Sequence, residues 1–228
     1  QLKGNVYLAR VTRVEPSLQA AFVEYGGNRQ GFLALSEIHP DYYRIPVEDR
    51  EALTAQTDSE NEQNSFSEQS ENNSGDTTAT NSPEEIGGDD EYDSQSQSSE
   101  SVIRQYKIQE VITRKQILLV QVLKEERGNK GAALTTYISL AGRYCVLMPN
   151  SNKGGGVSRK ITNVADRKRL KSVVSDLDIP KGMAVIVRTA GSKRTKTEIK
   201  RDYAYLSKLW NEIREKTLQS EAPTLIHE

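Results

Sequence analysis

The tetrapeptide Arg188-Thr189-Ala190-Gly191 closes the apolar run MAVIV, and its residue types suit one chemistry, the holding of a phosphate. Small residues at the end of a strand let an anion approach backbone N–H groups. An arginine adds a planar fork of donors, and a threonine adds a hydroxyl beside its own N–H. A terminal monophosphate offers more free oxygens and more charge than a mid-chain phosphodiester, so such a site suits a strand end. Taken alone, the tetrapeptide would serve equally as an ordinary strand-to-helix turn. A second chemistry lies in Phe22 and Phe32, two of the three phenylalanines, which flank Gly26-Gly27-Asn28 on what read as opposing strands. Paired rings on a sheet face can stack bases, at ~1–3 kcal/mol for each base. The same spacing would place both rings in a core, and it does not choose between the two. Lys124, Arg127 and Lys130 cluster in the run KEERGNK, where a turn is expected.

The net charge of −1 conceals a division. Of the 32 Asp and Glu, 14 fall in residues 51–103, which hold no Lys or Arg, leaving 18 acids against 31 Lys and Arg elsewhere. A body with that excess attracts and steers phosphate polymers, beyond what an ordinary solvated surface would do. The single cysteine, Cys145, lies in the apolar run YCVLM and reads as a small buried hydrophobe, not a nucleophile. With only His39 and His227 beside it, no zinc site can be assembled from Cys and His in this chain alone. No apolar run approaches the ~20 residues of a membrane span, and no signal peptide opens the chain. A cytoplasmic setting fits. At 228 residues, one or two domains are expected.

Several elements must position these groups. GNVYLARVTRV alternates as a strand with Val6, Leu8 and Arg10 on one face and Tyr7, Ala9 and Val11 on the other, stopped by Pro16. AAFVEYGGNRQGFLALSEI reads as strand, turn, strand, with Gly26-Gly27-Asn28 supplying positive φ for a tight hairpin. Residues 51–103 are too polar to offset their ordering entropy and are expected to be a disordered acidic insertion in a loop. It is read as passive; competition with RNA for the basic face is the other reading. Strands over 117–122 and 132–140 then flank the charged turn. Five or so short strands with a basic hairpin and nearby aromatics suggest an OB-fold β-barrel.

After Pro149 the pattern turns to mixed α and β. Gly154, Gly155 and Gly156 precede Arg159 and Lys160 in a basic glycine-rich loop. Asn163 or Asp166 caps a helix with stripe Leu170, Val173, Val174 and Leu177, ending before Pro180. Thr195 and Glu198 form a capping box that starts a long helix bearing Ile199, Tyr203, Leu206, Trp210 and Ile213. Trp210 reads as core. That helix should end near Ser220, and APTLI begins a strand whose partners are expected to lie outside this chain.

EPSLQAAFVEYGGNRQGFLALSEIHPDYY, KEERGNKGAALTTYISLAGRYCVLMPN, GGGVSRKI and GMAVIVRTAG together resemble the ribonuclease E/G family, in the family's order and over nearly the whole chain except the acidic insertion. The resemblance implies a barrel of the RNA-binding type named after ribosomal protein S-one, followed by a sensor for the 5′-monophosphate of RNA. It implies that Phe22, Phe32 and Lys130 contact RNA from the barrel. It implies also that Arg188 and Thr189 bind the 5′ phosphate, with Gly142, Val146 and Arg159 around the terminal nucleotide. The intact family enzyme is a magnesium-dependent endoribonuclease of single-stranded, A/U-rich RNA, working in rRNA processing and mRNA decay. Its tetramer is linked by zinc through cysteines. The paired catalytic aspartates and those cysteines belong to a later domain not found in this sequence, and the RNase H-like domain is represented only by its edges at residues 1–3 and 223–228.

The expected fold class is therefore α+β: an OB-fold barrel over residues 1–140 interrupted by the acidic insertion, a small α/β sensor domain over 141–221, and the start of an RNase H-like segment at 222–228. The expected function is single-stranded RNA binding and 5′-monophosphate sensing within an endoribonuclease that, intact, cuts RNA, whereas this fragment binds magnesium and zinc nowhere and does not cut. The resemblance implies a homotetramer, degradosome partners, and a cytoplasmic location with peripheral attachment to the inner membrane as a variant of it; the lack of a long apolar run predicts no transmembrane segment. Ribonuclease E fits better than G. The alternative is a non-catalytic OB-fold RNA-binding module of a translation or transcription factor.

Overall fold

The computed structural model describes residues 2–55, 106–151 and 155–228. The chain divides into one compact unit of Gln1–Arg44 with Lys107–Glu228 and another of Ile45–Tyr106. In the first unit, β1 (Val6–Glu15), β2 (Ala20–Glu24), β3 (Gly31–Ala34), β4 (Ile117–Lys124) and β5 (Ala133–Thr135) pair in the order β1-β2-β3-β5-β4. β1 then pairs with β4, which closes a five-stranded OB-fold barrel. A short helix, α1 (Ile108–Val111), leads into β4. The barrel interior is aliphatic: Val11, Val23, Leu33, Leu118, Val120 and Leu134 are essentially inaccessible.

β1 serves two cores because alternate side chains point to opposite faces. Tyr7, Ala9 and Val11 turn to one side, while Val6 and Leu8 join Leu119 in a cluster with the second half of the unit. That half is a four-stranded sheet in the order β6-β7-β9-β8, built from β6 (Leu140–Ala141), β7 (Cys145–Met148), β8 (Gly156–Val157) and β9 (Ala184–Val187). β8 and β9 are parallel, joined through α2 (Val164–Asp176). α3 (Lys196–Leu218) follows β9. Leu170, Ile199, Leu206 and Ile213 from the helices pack with Cys145, Leu147, Val185 and Val187 from the sheet.

Helix boundaries agree with their sequence signals. Asn163 caps α2 by accepting from the Asp166 N–H at 3.0 Å, and Leu177 terminates the helix. The Thr195–Glu198 capping box opens α3, and Trp210 packs half-buried against the core.

Four expectations need correction. The C-terminal strand finds its partner within the chain: β10 (Thr224–His227) pairs antiparallel with Val6, Tyr7 and Leu8 of β1. The strand expected over 132–140 stops at Thr135, because side chains replace the ladder there. Thr135 Oγ1 accepts from the Tyr137 N–H, and Asn150 Oδ1 from the Ile138 N–H, at 3.1 and 3.0 Å. At the β2–β3 loop only Gly26 takes positive φ, at 101°, so the connection is a longer loop than a tight hairpin. Residues 51–55, expected to be disordered, continue a helical stretch over 47–55; Leu53 is buried, and Thr54 Oγ1 donates to the Arg50 carbonyl at 3.0 Å. The remaining acidic insertion, 56–105, lies outside the described residues. Among the described residues no helix is long and apolar enough to cross a membrane.

Candidate nucleic-acid interface

In β2, Ala21 and Val23 point into the barrel, so Phe22 between them points out; in β3, Leu33 points in and Phe32 out. Phe22 and Phe32 face each other across the strands, half-buried, with ring centroids 5.9 Å apart at an interplanar angle of 73°. Neither ring is in the barrel core. Strand register extends the pair into a row over the outer face: Arg13 opposite Phe22, Phe22 opposite Phe32, Phe32 beside Ala133, and Ala133 opposite Lys124. The Arg13 guanidinium lies 4.6 Å from the Phe22 centroid, a cation–π distance. The row is thus cation, ring, ring, small residue, cation.

Sequence alternation would have put Arg13 on the inward face with Val11. The register shift between Val11 and Arg13 turns it outward, as a bulge re-aims the side chains beyond it. No local signal marks that shift.

Lys130 is exposed in the turn between β4 and β5, where it forms a bridge with Arg127. Glu126 fastens this turn to the β2–β3 loop by accepting from the Tyr25 hydroxyl at 3.0 Å and the Arg29 N–H at 3.2 Å. Arg29 also donates to the Gly128 carbonyl. Burial first, then the Glu126 carboxylate, pushes the Tyr25 hydroxyl well above the usual phenol range.

In the second sheet, Val185 and Val187 of β9 point to the helices, which leaves Ile186 and Arg188 on the opposite face with Val146 of β7. Arg188 and Thr189 are exposed where β9 ends. Because β8 runs parallel to β9 with Val157 beside Val187, Arg159 leaves the sheet at the same end. Arg188 Nη1 donates to the Gly142 carbonyl at 2.8 Å, and its backbone N–H to the Tyr144 carbonyl at 2.7 Å. Gly142, Val146, Arg159, Arg188 and Thr189 therefore gather around one sheet end.

The bend at residues 142–145 is held by Asp202, which sequence reading missed. Its carboxylate, 9% exposed, accepts from the backbone N–H groups of Arg143, Tyr144 and Cys145 at 3.2, 3.0 and 2.9 Å. A Cβ on Gly142 would fall 2.5 Å from that carboxylate, so the close approach requires glycine here. The only sequence signal is one acid at a core-facing position of α3.

A closed OB barrel with an outward row of rings and cations has the layout of a nucleic-acid-binding module. Residues 1–59 match the S1 RNA binding domain, and residues 139–228 match the Ribonuclease E/G family. The chain is 37% identical over 228 residues to ribonuclease E of Haemophilus influenzae, covering all of this chain and 19% of that protein. Identity to ribonuclease E of Escherichia coli is 36% over 228 residues, again all of this chain, and 16% of that protein. It is 30% over 213 residues to ribonuclease G of Escherichia coli, 93% of this chain and 33% of that one. The chain belongs to the ribonuclease E/G family, with greater similarity to these ribonuclease E relatives than to ribonuclease G. It spans less than a fifth of the length of those ribonuclease E relatives. Among the described residues, no group of three or more His, Cys, Asp or Glu is placed to hold a metal ion.

Proposed function

We propose that this chain is the substrate-recognition part of an endoribonuclease, holding single-stranded RNA on the barrel and its 5′-monophosphate at the end of β9. The observation that carries the reading is the outward row Arg13, Phe22, Phe32, Ala133 and Lys124. Two rings at 5.9 Å offer stacking surface to bases of any identity, and flanking cations, with Lys130 on the adjacent turn, meet the phosphates. At the second site, Arg188 keeps guanidinium N–H groups beyond the one given to Gly142, and the exposed Thr189 hydroxyl lies next to it. Gly142, Val146 and Arg159 surround the terminal nucleotide.

In the intact protein, the same reading includes magnesium-dependent cleavage of single-stranded, A/U-rich RNA in rRNA processing and mRNA decay. It includes also a zinc-linked homotetramer, degradosome partners, and a cytoplasmic or peripheral inner-membrane location.

The test compares binding of short single-stranded RNAs ending in a 5′-monophosphate, 5′-hydroxyl or 5′-triphosphate. The monophosphate is expected to bind most tightly, with the preference largely removed by Arg188→Ala or Thr189→Val. Equal affinity for all three ends would leave only a general RNA-binding barrel. Phe22→Ala and Phe32→Ala are expected to weaken binding of every RNA, by on the order of 1–3 kcal/mol for a lost base stack, with the melting transition retained.

A further inference from the structure

Beside the β9 end lies a cleft of about 730 Å³, between the bend at residues 141–144 and the first turns of α3. Gly142 belongs to both places: its carbonyl accepts from Arg188, and its backbone lines the cleft. Two guanidinium groups, Arg143 and Arg201, and two phenol rings, Tyr144 and Tyr205, also line it. Tyr205 follows Arg201 by four residues on α3, which puts the two on one helix face. It is 60% exposed, so its ring is open to solvent at the cleft.

The two carboxylates of the cleft are already engaged. Asp202 is spent on three backbone N–H groups. Glu198 accepts from the Thr195 N–H at 2.9 Å and its hydroxyl at 3.3 Å, with Arg194 at 3.8 Å. Those bonds, the Thr195 N–H first, hold the Glu198 carboxyl below the usual carboxylate range. Both carboxylates keep their charge, so the lining is balanced in sign; the guanidinium N–H groups of Arg143 and Arg201, neither of which forms an ion pair among the described residues, are the donors that a ligand phosphate would meet.

We infer that this cleft receives the nucleotide following the 5′-terminal one, its base stacked on Tyr205 and its phosphate between Arg143 and Arg201. The inference rests on the reading of Arg188 and Thr189 as the 5′-phosphate site, and it extends recognition by one nucleotide from there. A cleft of this volume lies within the ~300–1,000 Å³ that enclose a small ligand. A phenol ring stacks on any base, so the contact adds affinity with little base preference.

The experiment measures anisotropy of 3′-labelled, 5′-monophosphorylated single-stranded RNAs, intact or with an abasic ribose at the second nucleotide, against the full chain. In the wild type the abasic ribose is expected to weaken binding about 5- to 150-fold, the worth of one stacked base. Tyr205→Ala should weaken the intact RNA by a similar factor and abolish the difference between intact and abasic RNA, while Tyr205→Phe should preserve it. An abasic penalty of equal size in the wild type and in Tyr205→Ala overturns the proposal, as does no penalty in either. The same RNAs with a 5′-hydroxyl separate the two readings. A Tyr205-dependent penalty without any monophosphate preference supports the cleft and removes the Arg188–Thr189 site.

Discussion

Asp202 acts at one remove from the ligand. Its carboxylate fixes three consecutive N–H groups, these fix Gly142, and the Gly142 carbonyl fixes Arg188 Nη1. A carboxylate at the focus of three donors differs from an amide of the same shape, which turns an N–H toward N–H groups. Asp202→Asn is therefore expected to cost about 1.5–3 kcal/mol of stability, the range for hydrogen bonds to a charged group. It should also reduce the preference for 5′-monophosphate over 5′-hydroxyl RNA, leaving affinity for the hydroxyl form unchanged. Denaturation curves and binding to the two RNAs check the two halves; an unaltered end preference would show that Asp202 serves stability alone. Phe22 and Phe32 illustrate the same scale: their types suggested stacking, and only their direction off the barrel removed the core alternative.

Among the elements, the β4–β5 turn has the narrowest tolerance. It is drawn against the β2–β3 loop by Glu126, and Gly131 meets the loop so closely that a Cβ there would collide with the Gln30 carbonyl oxygen. That obstacle is backbone, which cannot rotate away. Gly131→Ala is expected to destabilise the barrel by about 1–3 kcal/mol, as overpacking does, and to weaken RNA binding by displacing Lys130. Thermal melting together with RNA titration tests this, and an unchanged melting temperature would mean that the loop yields freely. β1 holds the opposite role, because it is shared: its two faces feed the barrel interior and the cluster with α2 and α3.

For the whole molecule, charge and burial predict the response to salt and pH. Outside residues 51–103 the chain holds 31 Lys and Arg against 18 Asp and Glu, so RNA affinity should fall steeply with salt. Lys124→Ala and Lys130→Ala should each flatten the slope of log affinity against log salt by about 0.7, the share of one phosphate contact with a single strand. Titrations at several KCl concentrations measure it; a slope unchanged in both variants would take these lysines off the RNA path. Burial, followed by the nearby Asp202 charge, pushes the Cys145 thiol up to about 12, and burial does the same to the Tyr43 and Tyr137 hydroxyls. The folded state thus keeps protons that the unfolded chain releases above pH ~9, so stability is full below that pH and declines toward pH 12. Urea melts across that window test the decline, and a thiol reagent at pH 8 should label Cys145 only after unfolding.

Much of this was legible without coordinates, for a physical reason: helix caps, apolar periods and charge segregation are local properties of the chain. The Thr195–Glu198 box, the Asn163 cap and the stripe through Ile199, Leu206 and Ile213 declared themselves within a few residues. So did the excess of basic charge. What required the tertiary structure was everything set by register and long-range contact. The outward turn of Arg13 depends on a bulge paired with β2, and the role of Asp202 depends on a bend 57 to 59 residues earlier. β10 found a partner in β1 more than 200 residues away because pairing obeys geometry, and no local pattern encodes which distant edge lies open.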